Sequence, residues 1–162
     1  MKRVTHNVSR KTKTRLPPVI GWTIATGSIS VEPVILFLII FLWTPSHFWA
    51  LSLYKSSDYK KAKIPMLPII SGAKTTKVNI LFYALMMLPA IIAPYFLNFA
   101  SVFYLAISSA MSAYYVYLCL RLYRSKIASI SNKIARKIFI YSIFYLFFIF
   151  LILLIDNFLK II

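Results

Sequence analysis

His47 and Asp58 stand eleven residues apart in the stretch Trp43 to Pro68, WTPSHFWALSLYKSSDYKKAKIPMLP, which starts inside an apolar run and ends in a basic loop. Asp58 is flanked by Lys55, Lys60, Lys61 and Lys63. A carboxylate among cations suits a divalent metal bridged to a phosphate. Mg²⁺ commonly takes one or two carboxylates plus substrate phosphate oxygens, and the lysines would neutralise the remaining anionic charge. An apolar groove above that lip suits a lipid tail, and a polyprenyl diphosphate has both ends. His47 falls in the apolar zone, where an ionisable group is a functional hypothesis by default. The competing readings are a histidine hydrogen-bonded to a neighbouring helix and, for Asp58, a solvated loop acid.

On one continuous helix Trp43, His47, Leu51, Tyr54 and Asp58 share a face, at spacings of 4, 4, 3 and 4. His47 and Asp58 would then lie roughly 16 Å apart along the axis. Pro45 has no amide hydrogen and is expected to loosen or kink this helix near His47, while Pro65 and Pro68 disfavour regular helix after the loop.

The elements that must hold these residues are membrane helices. The chain has 162 residues, 60% of them hydrophobic, and a mean hydropathy of +0.79; a soluble domain is nearer half apolar. Long uncharged runs occupy Pro33 to Tyr54, Val78 to Leu120 and Ile138 to Ile155. A spanning helix needs about 20 apolar residues, so these runs hold one span, two spans and one slightly short span. Lipid leaves no other way to satisfy the backbone except a closed barrel, and the short alternating strands of a barrel are missing from the sequence. The expected class is all-α, a polytopic membrane protein.

Leu16 to Ile29 is apolar but short, with Pro17-Pro18, Gly21 and Gly27. It reads as a signal peptide with a cleavage site near Ala25-Thr26-Gly27, as an organelle transit peptide, or as a short, broken transmembrane helix. The last is preferred, since membrane helices tolerate Gly and Pro when neighbours satisfy the freed backbone.

The net charge is +16, and Glu32, Asp58 and Asp156 are the acidic residues. Basic excess can mark nucleic-acid binding. Here the charges sit between apolar runs, which points to membrane topology and anionic headgroups, with no nucleic-acid partner. Crossings near 16–29, 34–53, 78–97, 100–120 and 138–155 put the 1–15 tail and the 54–77 and 121–137 loops on one side. Each has six Lys or Arg, and the opposite side keeps Lys160 alone. Five crossings with the N-terminus and basic loops cytoplasmic therefore satisfy the positive-inside rule; four would put the basic N-terminus opposite. Asn98 is the expected turn between the third and fourth crossings. Tyr114, Tyr115, Tyr117 and Tyr123 read as an aromatic belt. Cys119, the single cysteine, supports neither a disulfide nor a metal cluster.

The stretch Trp43 to Pro68 resembles the signature region of the protohaem IX farnesyltransferases (haem O synthases), within the UbiA-like intramembrane prenyltransferase superfamily. LPPVIGWTIATGSI, Leu16 to Ile29, is similar to the helix before that signature, and FLIIFLWTP joins the two. LYRS at Leu122 to Ser125 and the terminal apolar helix ending in Asp156 match more loosely. There are departures. Ser46 stands where the family usually has a second proline, and Lys63 where glycine usually precedes IPMLP. SRKTKTR, Ser9 to Arg15, replaces a glycine-rich entry.

Family members are longer and carry a first Asn/Asp-rich metal motif in their N-terminal half, which these 162 residues do not supply. The resemblance is therefore to the C-terminal half, with 1–15 as a basic cytoplasmic tail and 16–162 as the C-terminal portion of the prenyltransferase domain.

The resemblance implies transfer of farnesyl from farnesyl diphosphate to a vinyl group of haem b, with Mg²⁺ assisting diphosphate departure and haem b as substrate rather than cofactor. Asp58 would belong to the second diphosphate/metal motif, and Lys55 and Lys61 would contact the diphosphate. His47 would be a haem-side residue, by ligation or positioning. Trp43, Phe48, Trp49 and Tyr54 would line the prenyl or porphyrin pocket, against the alternative of plain helix packing. The chain alone is expected to be inactive, and it reads as a gene remnant, as a chain with a misplaced start, or as one piece of a split protein with a separately encoded N-terminal half. Its expected place is a bacterial inner membrane, in preference to a mitochondrial one. The alternatives are a non-enzymatic remnant or assembly protein that binds haem or lipid, and a small transporter or channel subunit.

Overall fold

The computed structural model describes residues 30–161, together with Gly21 and Ile24. The expected tail and the rest of the expected 16–29 span lie outside the described residues. All regular structure among those described is helical: α1 Val31–Tyr54, α2 Ser56–Lys61, α3 Leu67–Ile70, α4 Gly72–Phe96, α5 Val102–Arg124 and α6 Ala128–Ile161. The four long helices are apolar and long enough to cross a membrane, and they overlap the spans expected at 34–53, 78–97, 100–120 and 138–155.

Two helices begin earlier than hydropathy predicts. α4 starts at Gly72, and α6 at Ala128. Lys74, Lys77, Lys133, Arg136 and Lys137 therefore ride on helix ends rather than in loops. Lys and Arg are good helix formers, and hydropathy marks where a helix is apolar, not where it begins.

The long helices form a ring in which α1 and α5 each pack on both α4 and α6. α4, α5 and α6 present buried stripes at steps of three and four. On α6 the stripe runs Ser131, Ala135, Ile138, Ser142, Tyr145, Ile149, Leu153 and Asp156. Small polar residues on such stripes let backbones approach and hydrogen-bond across helices. Across the ring, the buried hydroxyls of Ser46 and Tyr115 pair at 2.9 Å, and between the neighbouring helices α5 and α6 those of Ser112 and Tyr145 pair at 2.8 Å. The Tyr115 and Tyr145 rings stack with centroids 5.3 Å apart.

Tyr115 therefore departs from the expected aromatic belt. It is fully buried, whereas Tyr114, Tyr117 and Tyr123 are exposed. Its position falls on the stripe with Ser108, Ser112 and Cys119, which the other three miss.

The ends of the ring are tied by polar contacts. Asn98 takes the left-handed conformation at φ 62° and ends α4. Its N–H donates to the Tyr95 carbonyl, and that of Phe99 to Pro94, at 3.0 and 3.1 Å; this is a Schellman closure. Ser101, which caps α5, donates its N–H and hydroxyl to the Asp156 carboxylate, so the acid within apolar α6 is pinned to the start of α5. Lys77 donates to the Ser125 carbonyl and the Ser131 hydroxyl at 2.8 and 2.7 Å, which places a cation at the carbonyl end of α5, where the helix dipole favours it.

Candidate functional site

α1 runs as one helix through Pro45, so the expected loosening near His47 does not break it. It stops at Lys55, whose N–H donates to the Leu51 carbonyl at 2.9 Å and whose backbone leaves the helical region at φ −99°, ψ 20°. Asp58 then sits in the first turn of the separate helix α2. The expected single face from Trp43 to Asp58 is thus corrected: it ends at Tyr54. The first turn of a helix nevertheless suits a carboxylate.

Around Asp58 the lip is basic. The Lys55 ammonium lies 3.1 Å from the carboxylate, and the Ser57 hydroxyl donates to it at 3.5 Å. The hydrogen bond from Lys55 and then its charge, helped by the charge of Lys61, hold the Asp58 carboxyl below its ordinary value of 3.8. The same pair raises Lys55 above 10.5. Both side chains are about half exposed, so water screens the pair and it adds little stability. Lys61 is exposed. Lys60, one of the flanking lysines expected to neutralise anionic charge, lines a cleft of about 290 Å³ with Ser56, Ser57, Pro68 and Ile69.

The loop after α2 is closed by a Schellman motif. Lys63 N–H donates to the Lys60 carbonyl at 3.2 Å and Ile64 N–H to that of Tyr59 at 3.0 Å, with Lys63 left-handed at φ 55°. Glycine is the residue that takes this position without a Cβ penalty. Lys63 occupies it all the same, and this is where the resemblance leads one to expect glycine. Pro68 does not block helix here: it stands at the start of α3, where its missing N–H would be unpaired anyway.

Within the apolar zone, the half-buried His47 ring lies between the Trp43 and Phe139 rings, with centroids 4.3 and 4.7 Å away. Its Nδ1 is 2.7 Å from the Ser142 hydroxyl, and the Trp43 Nε1–H donates to the Ser142 carbonyl at 2.9 Å. Trp43 also lines an open apolar groove of about 630 Å³ with Ile40, Ile143, Phe147, Phe150 and Leu154. Phe48 is exposed and edge-on to His47. Trp49 is turned to α4, edge-on to Tyr83 at 5.3 Å. Arg136 of α6 lies 5.9 Å from the Tyr54 ring and lines a second groove, of about 360 Å³, with Lys133, Lys137, Ile140, Tyr141 and Phe144.

The structure thus brings Trp43 and His47 together on the α6 side and Lys55, Asp58 and Lys61 together at the lip. Trp49 lies on the other side of α1. Ser142, Phe139 and Arg136 were not identified from sequence. Arg136 carries a signal, as a cation in a basic segment, but a serine ninety-five positions from its histidine carries none.

Among the described residues no three His, Cys, Asp or Glu come together to hold a metal by themselves; at the lip, the half-exposed Asp58 carboxylate, paired with Lys55, is the group that a Mg²⁺ arriving with a phosphate substrate would take.

The described residues thus form a bundle of apolar helices with a basic lip that carries one carboxylate, that of Asp58, just past the end of α1. Residues 12–144 match the UbiA prenyltransferase family, and the chain belongs to that family. Among curated proteins it is similar to the protohaem IX farnesyltransferase of Pelagibacter ubique (strain HTCC1062), with 60% identity over 142 residues, covering 88% of this chain and 47% of that protein. It is also similar to the enzyme of that name from Parvibaculum lavamentivorans, with 47% identity over 87% of this chain and 44% of the relative. A third relative of that name, from Rickettsia bellii, is 46% identical over 85% and 45%. The chain spans about half the length of these relatives. No solved structure matches it.

Proposed function

We propose that this chain is the C-terminal portion of a haem O synthase-like enzyme, which transfers farnesyl from farnesyl diphosphate to a vinyl group of haem b. Residues 16–162 would form that portion of the prenyltransferase domain, and 1–15 a basic cytoplasmic tail. The observation that carries the reading is the 60% identity to a protohaem IX farnesyltransferase over 142 residues, a match in which the basic lip and the aromatic His47 site lie on one helix and its immediate continuation.

In this reading Lys55 and Lys61 neutralise the diphosphate as it leaves, and Asp58, paired with Lys55 until substrate arrives, would hold the Mg²⁺ that assists its departure. The apolar groove beside Trp43 takes the prenyl chain, while Phe48 stands against His47 and Tyr54 stands near Arg136 at the lip end of α1. Trp49 supports α1 from the α4 side. His47 meets the porphyrin. The electron-rich vinyl carbon captures the allylic cation once the diphosphate departs, and the cation left on the vinyl carbon next to the porphyrin ring is quenched by water, which releases a proton. The basic segments face the cytoplasm of a bacterial inner membrane, in keeping with the positive-inside rule. The remaining acidic groups would come from an N-terminal half, because a single screened carboxylate is all that the described lip offers. Expression of this chain in cells lacking the synthase, followed by haem extraction, tests the incompleteness: no haem O is expected, and its appearance would sink the proposal that the site is completed elsewhere.

The lack of a second lip carboxylate among the described residues also favours a second reading, a non-enzymatic membrane protein that binds haem or lipid. Asp58→Ala discriminates, since it leaves such binding intact and abolishes farnesyl transfer by the assembled enzyme.

A further inference from the structure

We infer that Ser142 is a positioning residue for His47: it fixes the imidazole with its hydrogen on Nδ1, so that Nε2 is a free acceptor facing out of the α1–α6 seam. The Ser142 oxygen lies 2.7 Å from His47 Nδ1 and 2.7 Å from the Phe139 carbonyl oxygen. A serine hydroxyl has one hydrogen, and a carbonyl oxygen only accepts. The hydrogen must therefore point at Phe139, since otherwise two oxygen lone pairs would face each other at that separation. The contact with Nδ1 is then satisfied only if Nδ1 carries a hydrogen and donates it. A neutral imidazole has one N–H, so Nε2 keeps its lone pair.

The ring has little freedom to escape this assignment. Trp43 and Phe139 cover its two faces, inclined by 20° and 26°. Trp43 is held in turn by its Nε1–H on the Ser142 carbonyl. One buried residue of α6 thus orients the histidine through its hydroxyl and the covering indole through its backbone.

Nε2 has no hydrogen-bond partner among the described residues, yet it is not one of the enclosed polar atoms left unpaired. It is therefore not fully enclosed by the bundle. An imidazole lone pair presented from an apolar wall suits a metal held by a flat apolar ligand, or a hydrogen-bond donor carried by one. A second residue that sets tautomer and ring orientation is the usual companion of a ligating histidine. The identification of that ligand as a porphyrin rests on the proposed function; the tautomer does not.

The test uses the full chain in lipid nanodiscs with ¹⁵N-labelled histidine and His6→Gln, which leaves His47 as the labelled ring. Above the imidazole titration range, Nδ1 is expected to give a protonated, pyrrole-type signal and Nε2 a bare, pyridine-type signal. Ser142→Ala should move the population toward the Nε2–H form, and Ser142→Thr, which keeps the hydroxyl, should restore it. A pyridine-type Nδ1 in the unsubstituted chain, a measurement that needs no variant to fold, overturns the inference. So does an unchanged tautomer in Ser142→Ala.

Ferric protoporphyrin is then added as probe. A nitrogen-ligated absorption spectrum that His47→Ala abolishes and Ser142→Ala weakens about 10-fold supports both the inference and the porphyrin reading. The expected tautomer with no response of the porphyrin to His47→Ala leaves Ser142 in its role and refutes the haem-side assignment.

Discussion

Lys63→Gly is expected to stabilise the lip, although it removes one of the basic side chains that follow Asp58. Lys63 is left-handed at φ 55° because the closure of α2 requires it: the Lys63 and Ile64 amides reach back to the Lys60 and Tyr59 carbonyls at 3.2 and 3.0 Å. A residue with a Cβ pays about 1–2 kcal/mol for that conformation. Glycine escapes the penalty but loses about 0.5–1 kcal/mol more backbone freedom on ordering. The midpoints of the two ranges leave a net gain of about 0.75 kcal/mol, or roughly 3- to 4-fold slower local opening. Hydrogen exchange of the Ile64 amide in nanodiscs reads that opening directly. Lys63→Ala is the control, since it removes the charge but keeps the Cβ, and it should stay within about 2-fold of the unsubstituted chain. Unchanged or faster exchange in the glycine variant would refute the reasoning, as would equal protection by alanine, which would assign the effect to charge.

Two further perturbations separate polar contacts by their surroundings. Ser46 and Tyr115 are both fully buried, but Ser46 also donates to the Trp43 carbonyl at 3.0 Å. Ser46→Ala strands the tyrosine hydroxyl and should cost about 1–2 kcal/mol, whereas Tyr115→Phe should cost about 0.6 kcal/mol. The double variant should fall near the Tyr115→Phe value; additive losses in thermal unfolding would contradict the pairing. At the lip, the Asp58 carboxyl is depressed and the Lys55 ammonium raised. Their pairing is therefore complete at neutral pH. It is lost in acid as pH falls below 3.8 through the lowered carboxyl value, and in alkali as pH rises above 10.5 through the raised ammonium value. Lys55→Gln should shift the Asp58 carboxyl titration upward in side-chain ¹³C spectra, and an unmoved titration would deny the contact.

Much of the architecture was legible because membrane helices announce themselves by composition. The apolar runs located the four described spans, and Asn98 marked its turn because asparagine is among the few residues that tolerate a left-handed backbone. The helix ends were less legible, since Lys and Arg can extend a helix past the bilayer as easily as they can form a loop. The same limit hid the break at Lys55, so that a spacing consistent with one face carried Asp58 onto a helix it does not share with His47. Lys63 gave no sign of its left-handed backbone by residue type. Only its place in a resembling loop pointed to the glycine-favouring position. The Ser142–His47 contact was invisible for a different reason: periodicity says which face of a helix is buried, not which helix it meets. Tyr115 shows the converse, a residue whose membership of the buried stripe was present in the spacing but masked by the exposed tyrosines around it.

The central claim is that the lip at Asp58 is one part of a farnesyl-transfer site whose other part lies outside these residues. The most direct measurement joins this chain to the preceding half of the Pelagibacter ubique relative, expresses the fusion in cells without a haem O synthase, and extracts the haems. The account predicts haem O from the fusion and none from the Asp58→Ala fusion or from this chain alone. Haem O from this chain alone, or undiminished haem O from the Asp58→Ala fusion, would contradict it.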